Sequence, residues 1–400
     1  MSGGYQLLLN GQPADSDLYA AITTLEVEES MDLPSALQLT VPIAATAGGD
    51  LLYVSDSRFM PLASVAVVAT PGTSSAAGAI GGAVGAVTSA LGSTPTGQCI
   101  FDGYALSQKI HLDSGITHST LAVWGQDASW LMNLTEKVKE WVDVTDATVA
   151  NTIFGDYGIT PSDQNLADDS PSHTEDGHSL MQRGSDIQFL RNLARRNGKV
   201  CRIACADQPG VRTGYFATPS LDGDPVVTLT LTDVQNWTVN ALDLEWDATR
   251  PTSVIARQAL FTNPDPDGVS ADTADSGLPA LSDRTLADFT GQAMTVLLAA
   301  PVDDGGELTL RAEALLRESA WFVRCEGEAD VERLGIVLRA GMVVAIAGIG
   351  ALHSGRYLVW RVRHVIGPGS HIMKFTLVRN AVGNAPANGS SLLAAAAGAL

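Results

Sequence analysis

The sequence has little cysteine, no long apolar run and, across its final 68 residues, no acidic residue at all. Four cysteines (Cys99, Cys201, Cys205, Cys325) in 400 residues are too few and too scattered for a disulfide scaffold. The opening MSGGYQLLLNG has neither a basic n-region nor an apolar core; no secretory signal is visible, and synthesis in the cytosol is expected. The chain carries no charge from Phe59 to Phe101. Within that stretch, residues 76–92 are Gly- and Ala-dominated and fall short of the roughly 20 strongly apolar residues a membrane span needs, despite the Gly81/Gly85 spacing. A flexible hairpin insertion over 71–97 is expected instead. There is no G-x-S-x-G elbow, H-E-x-x-H, Walker loop or dinucleotide fingerprint, so no enzyme is expected, and no catalytic, cofactor-binding or metal residues.

Charged residues make up 17% of the chain against about 25% in ordinary domains, while hydrophobic residues reach 45%. That is enough for real cores and excludes global disorder. Its length predicts about two to four domains. The 24 Lys and Arg face 44 Asp and Glu, a net charge of −20, which argues against tight nucleic-acid binding because phosphates are repelled. The charge is also segregated. Arg333, Arg339, Arg356, Arg361, Arg363, Lys374 and Arg379 stand with no acid after them, leaving −27 on the first 332 residues. These seven are the candidate interface residues: a basic module expected to dock on an acidic surface of the same or another chain, or else to decorate an outer strand face.

Most of the chain reads as strands. Residues 5–10 precede a Gly11–Gln12–Pro13 turn, 18–28 alternate in part, and 37–41, 65–69, 100–106 and 117–127 continue the period-two pattern. Residues 128–141, with Leu131, Leu134, Val138 and Trp141 at three- and four-residue steps, predict a helix. Ser185 and Gln188 have capping-box spacing and open a helix with Ile187, Leu190, Leu193 and Ala194 on one face and Gly198 as its stop. Residues 199–204, 225–231 and 242–246 read as strands and 263–280 as an acidic linker loop. A second helix over 309–322, with Leu310, Ala314, Leu315 and Trp321 or Phe322 inward, leads to a β finish over 341–378. The tail 381–400 is low-complexity. Runs of strands with isolated helices predict an α+β, mostly β fold rather than a parallel doubly wound sheet.

Three constellations invite a metal. Cys201 and Cys205 lie four apart on one strand face, about 13 Å at 3.3 Å per residue, too far for one zinc, and read as core. His173, Asp176 and His178 share an acidic loop that nothing regular fixes, and read as solvated. Asp265, Asp267 and Gly268 resemble half a calcium loop with the glycine at the wrong position.

Residues 178–198, HSLMQRGSDIQFLRNLARRNG, resemble the "Q-x-x-x-S-D-x-x-F-L-x-x-L-x-x-x-x-G" helix of the late control gene D protein family, the baseplate hub of contractile phages. That hub is similar to the N-terminal half of valine–glycine-repeat spike proteins. LPSALQL at 33–39, FDGY at 101–104, LAVWGQD at 121–127 and GRYLVWRVRH at 355–364 support the likeness. The resemblance implies two tube-protein-like antiparallel β-barrels with an intervening α+β region: a first barrel over 1–127 including the 71–97 insertion, a middle region over 128–199, and a second barrel with its helix over 200–262 and 309–380. It also implies a non-enzymatic homotrimer joining a sixfold tail tube to a threefold spike in the baseplate. Its partners would be the tube protein, a separate spike protein, other baseplate proteins and a tape measure. The alternatives are a hub-associated cell-wall hydrolase and a membrane-active tail protein using residues 76–92.

Overall fold

The computed structural model describes residues 4–71, 97–115, 118–167, 170–175, 179–231, 235–258, 269–302 and 305–383. The 71–97 insertion and the 381–400 tail therefore lie almost wholly outside the described residues. The fold is α+β and mostly β, as the sequence predicts.

The first half supplies β1 (Tyr5–Leu9), β2 (Gln12–Pro13), β3 (Thr24–Ser30), β4 (Ala36–Pro42), β5 (Ser64–Ala69), β6 (Gln98–His111) and β7 (Thr120–Asp127), with the short helix α1 (Ser16–Ala21) between β2 and β3. Strand β7 alternates strictly, burying Leu121, Val123, Gly125 and Asp127, the pleat expected of a strand with one covered face. At Gly103, β6 passes β7 so closely that a Cβ would sit 2.1 Å from the Gln126 carbonyl oxygen. Both residues belong to motifs singled out in the sequence. Gly103→Ala must push two paired backbones apart, so a loss of about 1–3 kcal/mol is expected. It should appear as a lower midpoint in denaturant unfolding, and an unchanged midpoint would show the crossing to be slack.

The middle region holds β8 (Glu136–Trp141), α2 (Asp146–Asp156), β9 (Thr160–Pro161), β10 (Leu180–Ser185), α3 (Asp186–Arg196), β11 (Val200–Cys205) and β12 (Arg212–Ala217). The predicted helix over 128–141 is not formed: a 3-10 turn over Ala128–Asn133 leads into strand β8, which pairs β10. The helical spacing misled because its residues share no buried face; Leu134 is 58% and Val138 80% exposed, and only Trp141 turns inward. Helix α3 forms as predicted on Ile187, Leu190, Leu193 and Ala194 and stops at Gly198 with φ +62°. Its N-cap Ser185 makes no capping bond; the hydroxyl is spent on Asn133 Oδ1 at 2.6 Å. Strands β11 and β12 pair with β9 in a sheet of their own, so residues 200–217 pack with the middle region and not in a second barrel.

The rest comprises β13 (Thr228–Thr230), β14 (Ala241–Trp246), β15 (Ser253–Gln258), β16 (Val269–Thr273), α4 (Leu286–Thr290), β17 (Thr295–Leu298), α5 (Gly305–Ser319), β18 (Val323–Asp330), α6 (Val331–Leu334), β19 (Val343–Ala347), β20 (Gly355–Gly367) and β21 (Ser370–Arg379). Strand β16 falls inside the stretch expected to be linker, and it pairs β15 because Ala271 packs under α5. Helix α5 lays Leu308, Ala312 and Leu316, with Leu315 half-buried beside them, on β15–β17. Ala314, inward as predicted, is buried against Gly198, and Trp321 and Phe322 are buried just beyond the helix; of the predicted set Leu310 is only half-buried.

One sheet unites the halves. Among the described residues its order is β14-β18-β21-β20-β3-β4-β7-β6-β5-β1-β2, with β13 and β19 branching from β20. Strand β20 is shared: its start pairs β19 and its end, Arg361–Ile366, pairs β3. One hydrophobic core follows the same path, from Leu7, Leu25 and Phe101 to Val323, Tyr357 and Leu377.

Candidate functional site

The seven basic residues all meet partners within their own chain. Strand β3 presents Glu26, Glu28 and Glu29 to the basic end of β20. In the antiparallel register Arg361 lies opposite Ser30 and Arg363 opposite Glu28. Each guanidinium reaches one pleat diagonally, Arg361 to Glu28 at 2.7 Å and Arg363 to Glu26. Lys374 reaches Glu328 at 4.0 Å across β21 and β18. Arg333 lies over the Trp237 ring, 3.3 Å from its centre. Arg356 donates to the Gly223 carbonyl at 2.8 Å. Arg379 is fully buried beneath Tyr357 and donates to the carbonyls of His353 and Gly383, both at 3.2 Å.

Arg339 anchors the junction. Its Nε and Nη2 donate to Glu29 at 2.7 and 2.5 Å, and Nη2 also reaches the Cys205 carbonyl at 3.2 Å. Glu29 is only 3% exposed. The Cys205 thiol donates to the Cys99 carbonyl at 2.6 Å, tying β11 to β6. The hydrogen bond with Cys99, and then burial, push that thiol well above its ordinary range. Burial raises Cys201 to about 12. Cys201 is a core thiol as expected, whereas Cys205 is only half-buried; with both thiols pushed up, neither is poised to react.

Two buried aspartates organise the middle region. Burial pushes the Asp186 carboxyl up, but the Lys137 ammonium at 2.5 Å, the Tyr157 hydroxyl at 2.7 Å and the Gln182 amide at 2.6 Å outweigh it and hold it below the usual range. Asp146 accepts from His173 Nε2 at 2.7 Å and from Asn197. His173, expected to be solvated, bridges to Val144 and is 11% exposed; its carboxylate partner comes from 27 residues away, beyond any local pattern. Asp176, His178, Asp265, Asp267 and Gly268 lie outside the described residues. No group of three or more His, Cys, Asp or Glu among the described residues is arranged to hold a metal ion. No described helix is long and apolar enough to cross a membrane.

A cavity of about 610 Å³ opens between α3 and the second half. Trp321 and Trp360, with ring centres 5.9 Å apart, line it, and Trp246 stands at its edge. Arg191, Arg195, Lys199, Arg250, Arg317 and Arg324 contribute cations; Asp32, Glu245, Asp247 and Glu318 contribute carboxylates. Sequence reading missed this cleft because its walls come from eight separate stretches of chain, from Asp32 to Val378.

A mostly β chain with an α/β middle region and one sheet through both halves defines a class: this is the fold of phage tail proteins. The chain is similar to the 43 kDa tail protein of prophage MuSo2 from Shewanella oneidensis, with TM-score 0.63 and 13% identity, covering 95% of this chain and 99% of that one. The tail protein from Neisseria meningitidis MC58 gives the same score and identity, covering 95% and 97%. An E. coli component of the type VI secretion system, itself described as similar to T4 tail proteins, matches with TM-score 0.52 and 12% identity, covering 95% and 79%. No curated protein matches by sequence. By family, the chain belongs to the Alg8 N-terminal domain family, whose model matches residues 84–367. That match spans β6 to the end of β20.

Proposed function

We propose that the chain is a structural part of a contractile phage tail or phage-like injection apparatus: a homotrimeric baseplate hub of the late control gene D kind, joining tail tube to spike and working by shape. The observation that carries this reading is the end-to-end likeness to two tail proteins, nearly the whole of each chain being covered. The tube protein, a separate spike protein and other baseplate proteins are its partners in this reading, and the virion or baseplate is where it resides. A closed threefold ring needs two different patches on each protomer. We assign Arg361, Arg363 and Lys374, still half exposed beside their carboxylates, to one of them. The open sheet edge at β14, with Asp243 and Glu245 exposed, suits the other. Light scattering on the purified protein tests this: the expected mass is that of three 41.7 kDa chains. A stable monomer or dimer across the micromolar range would overturn it.

A further inference from the structure

We propose that the cleft between α3 and the second half is a docking site for a short acidic peptide segment of a partner protein, one carrying an apolar or aromatic side chain beside one or two carboxylates. Six cations meet four carboxylates around it, in a chain whose acids outnumber its bases 44 to 24. Counted over the lining alone, the balance is the reverse of the molecule's. With Glu313 and Glu326, which pair two of the cations from outside the lining, the signs are equal, and the pull on an anion comes from the cations left without an ion pair. Several of the six are already spent: Arg317 on Glu313 at 3.0 Å, Arg324 on Glu326 at 2.6 Å and Arg250 on Asp247 at 3.3 Å.

Arg191 and Arg195 differ. They sit one turn apart along the cleft on α3, and neither forms an ion pair within 4 Å among the described residues, although the charge of Arg191 also bears on the buried Asp127 carboxylate. The Nε of Arg191 is buried and has no acceptor. A buried donor without a partner is costly, and an incoming carboxylate removes that cost through a fork the guanidinium is shaped to make.

The rest of the cleft sets the kind of ligand. The volume lies inside the roughly 300–1,000 Å³ range of ligand sites, enough for a few residues and too small for a folded surface. The indoles of Trp321 and Trp360 and the side chain of Val378 give an apolar wall for one side chain. Glu245, Asp247, Glu318 and Asp32, which also line it, repel a dense polyanion while tolerating one or two localised charges. Duplex DNA and sulfated sugars are disfavoured on that ground. The proposal does not rest on the trimeric hub reading, because every wall of the cleft belongs to one chain.

The test uses full-length protein and two fluorescein-labelled peptide pools of about twelve residues, read by fluorescence anisotropy. One pool has Asp or Glu at half its positions and Trp, Leu or Pro elsewhere; the other has Lys or Arg in place of the acids. Saturable binding of the acidic pool alone is expected. Arg195→Glu should weaken it by about tenfold or more without moving the unfolding midpoint, since that side chain is exposed and unpaired. Arg191→Gln should weaken it similarly; if that variant is less stable, Arg195→Glu decides alone. The idea is overturned if the acidic pool does not saturate, or if Arg195→Glu binds it as tightly as the parent. It is also overturned if a heparin-derived hexasaccharide binds more tightly and loses that binding in Arg195→Glu, which would make the cleft a sugar-acid site.

Discussion

Replacing Glu29 by Gln is expected to lower the free energy of unfolding by about 3–5 kcal/mol, the usual result of removing one partner from a buried ion pair. The size comes from what stays behind. Arg339 keeps its charge but faces a neutral amide whose single oxygen can accept only one of its two short contacts, while the amide NH2 opposes a guanidinium N–H. Only the Cys205 carbonyl and thiol sulfur remain in reach of Nη2. Glu29 is too deeply buried for water to replace it. The pair also spans 310 residues of sequence and joins β3 to the loop before β19, so its loss should be felt by both halves in one transition. Denaturant unfolding followed by tryptophan fluorescence measures this. Exchanging both partners for methionine should recover much of the loss, because an apolar pair of similar volume leaves no orphaned charge. A cost under about 1 kcal/mol for Glu29→Gln would mean that solvent reaches the pair.

Acid should weaken the fold at a pH above the ordinary carboxylate range, burial of Asp127, which pushes its carboxyl up, opposing the trend only in part. His364 of β20 and His371 of β21 face each other in the core, Nδ1 to Nε2, at 3.0 Å. Burial lowers His371 from 6.5 to about 4, only partly resisted by Asp330. His364 is driven well below its ordinary value by burial, by His371 and by Arg339. Between about 4 and 6.5 the unfolded chain therefore binds more protons than the folded one, and stability rises with pH through that window. Going from pH 7 to 4 removes on the order of 3 kcal/mol for His371 alone. The Asp186 carboxylate, held below its normal range, loses its contribution only under more acid conditions. Unfolding midpoints across pH 4–7 should fall on the acid side in the parent and fall distinctly less in a His364→Leu, His371→Leu double variant, where His353, lowered by burial and by Arg379, leaves a smaller slope. A flat parent profile would contradict the placement of the pair.

Much of the fold is legible in the sequence, for physical reasons that also mark where legibility ends. Strand β4 and strand β7 could be read because one face is covered and the other wet, so burial writes an alternation into the chain. Helix α3 could be read because its apolar positions recur with the helical turn on one covered face. The stretch at 128–141 misled because apolar residues at helical spacing belong to an exposed ribbon. Strand β16 was hidden because five residues, VSADT, carry only one fully buried side chain. Of the junction, the basic partner was legible as an acid-free stretch. Its acidic partner was not, since Glu26 and Arg363 lie 337 residues apart and no local pattern links them. The cleft fell outside reach for the same reason.

The sharing of β20 between β19 and β3 bears on the order in which the chain can fold. Strand β3 emerges from the ribosome more than 300 residues before β20, the neighbour that covers its outer edge. In the interval that edge stays open, with unpaired backbone groups able to capture a strand from another nascent chain. A product truncated before residue 355 never acquires its cover. The acidic row on β3 then has a use before the native state exists, because like charges on every unfinished copy hold those edges apart until Arg361 and Arg363 arrive to neutralise them.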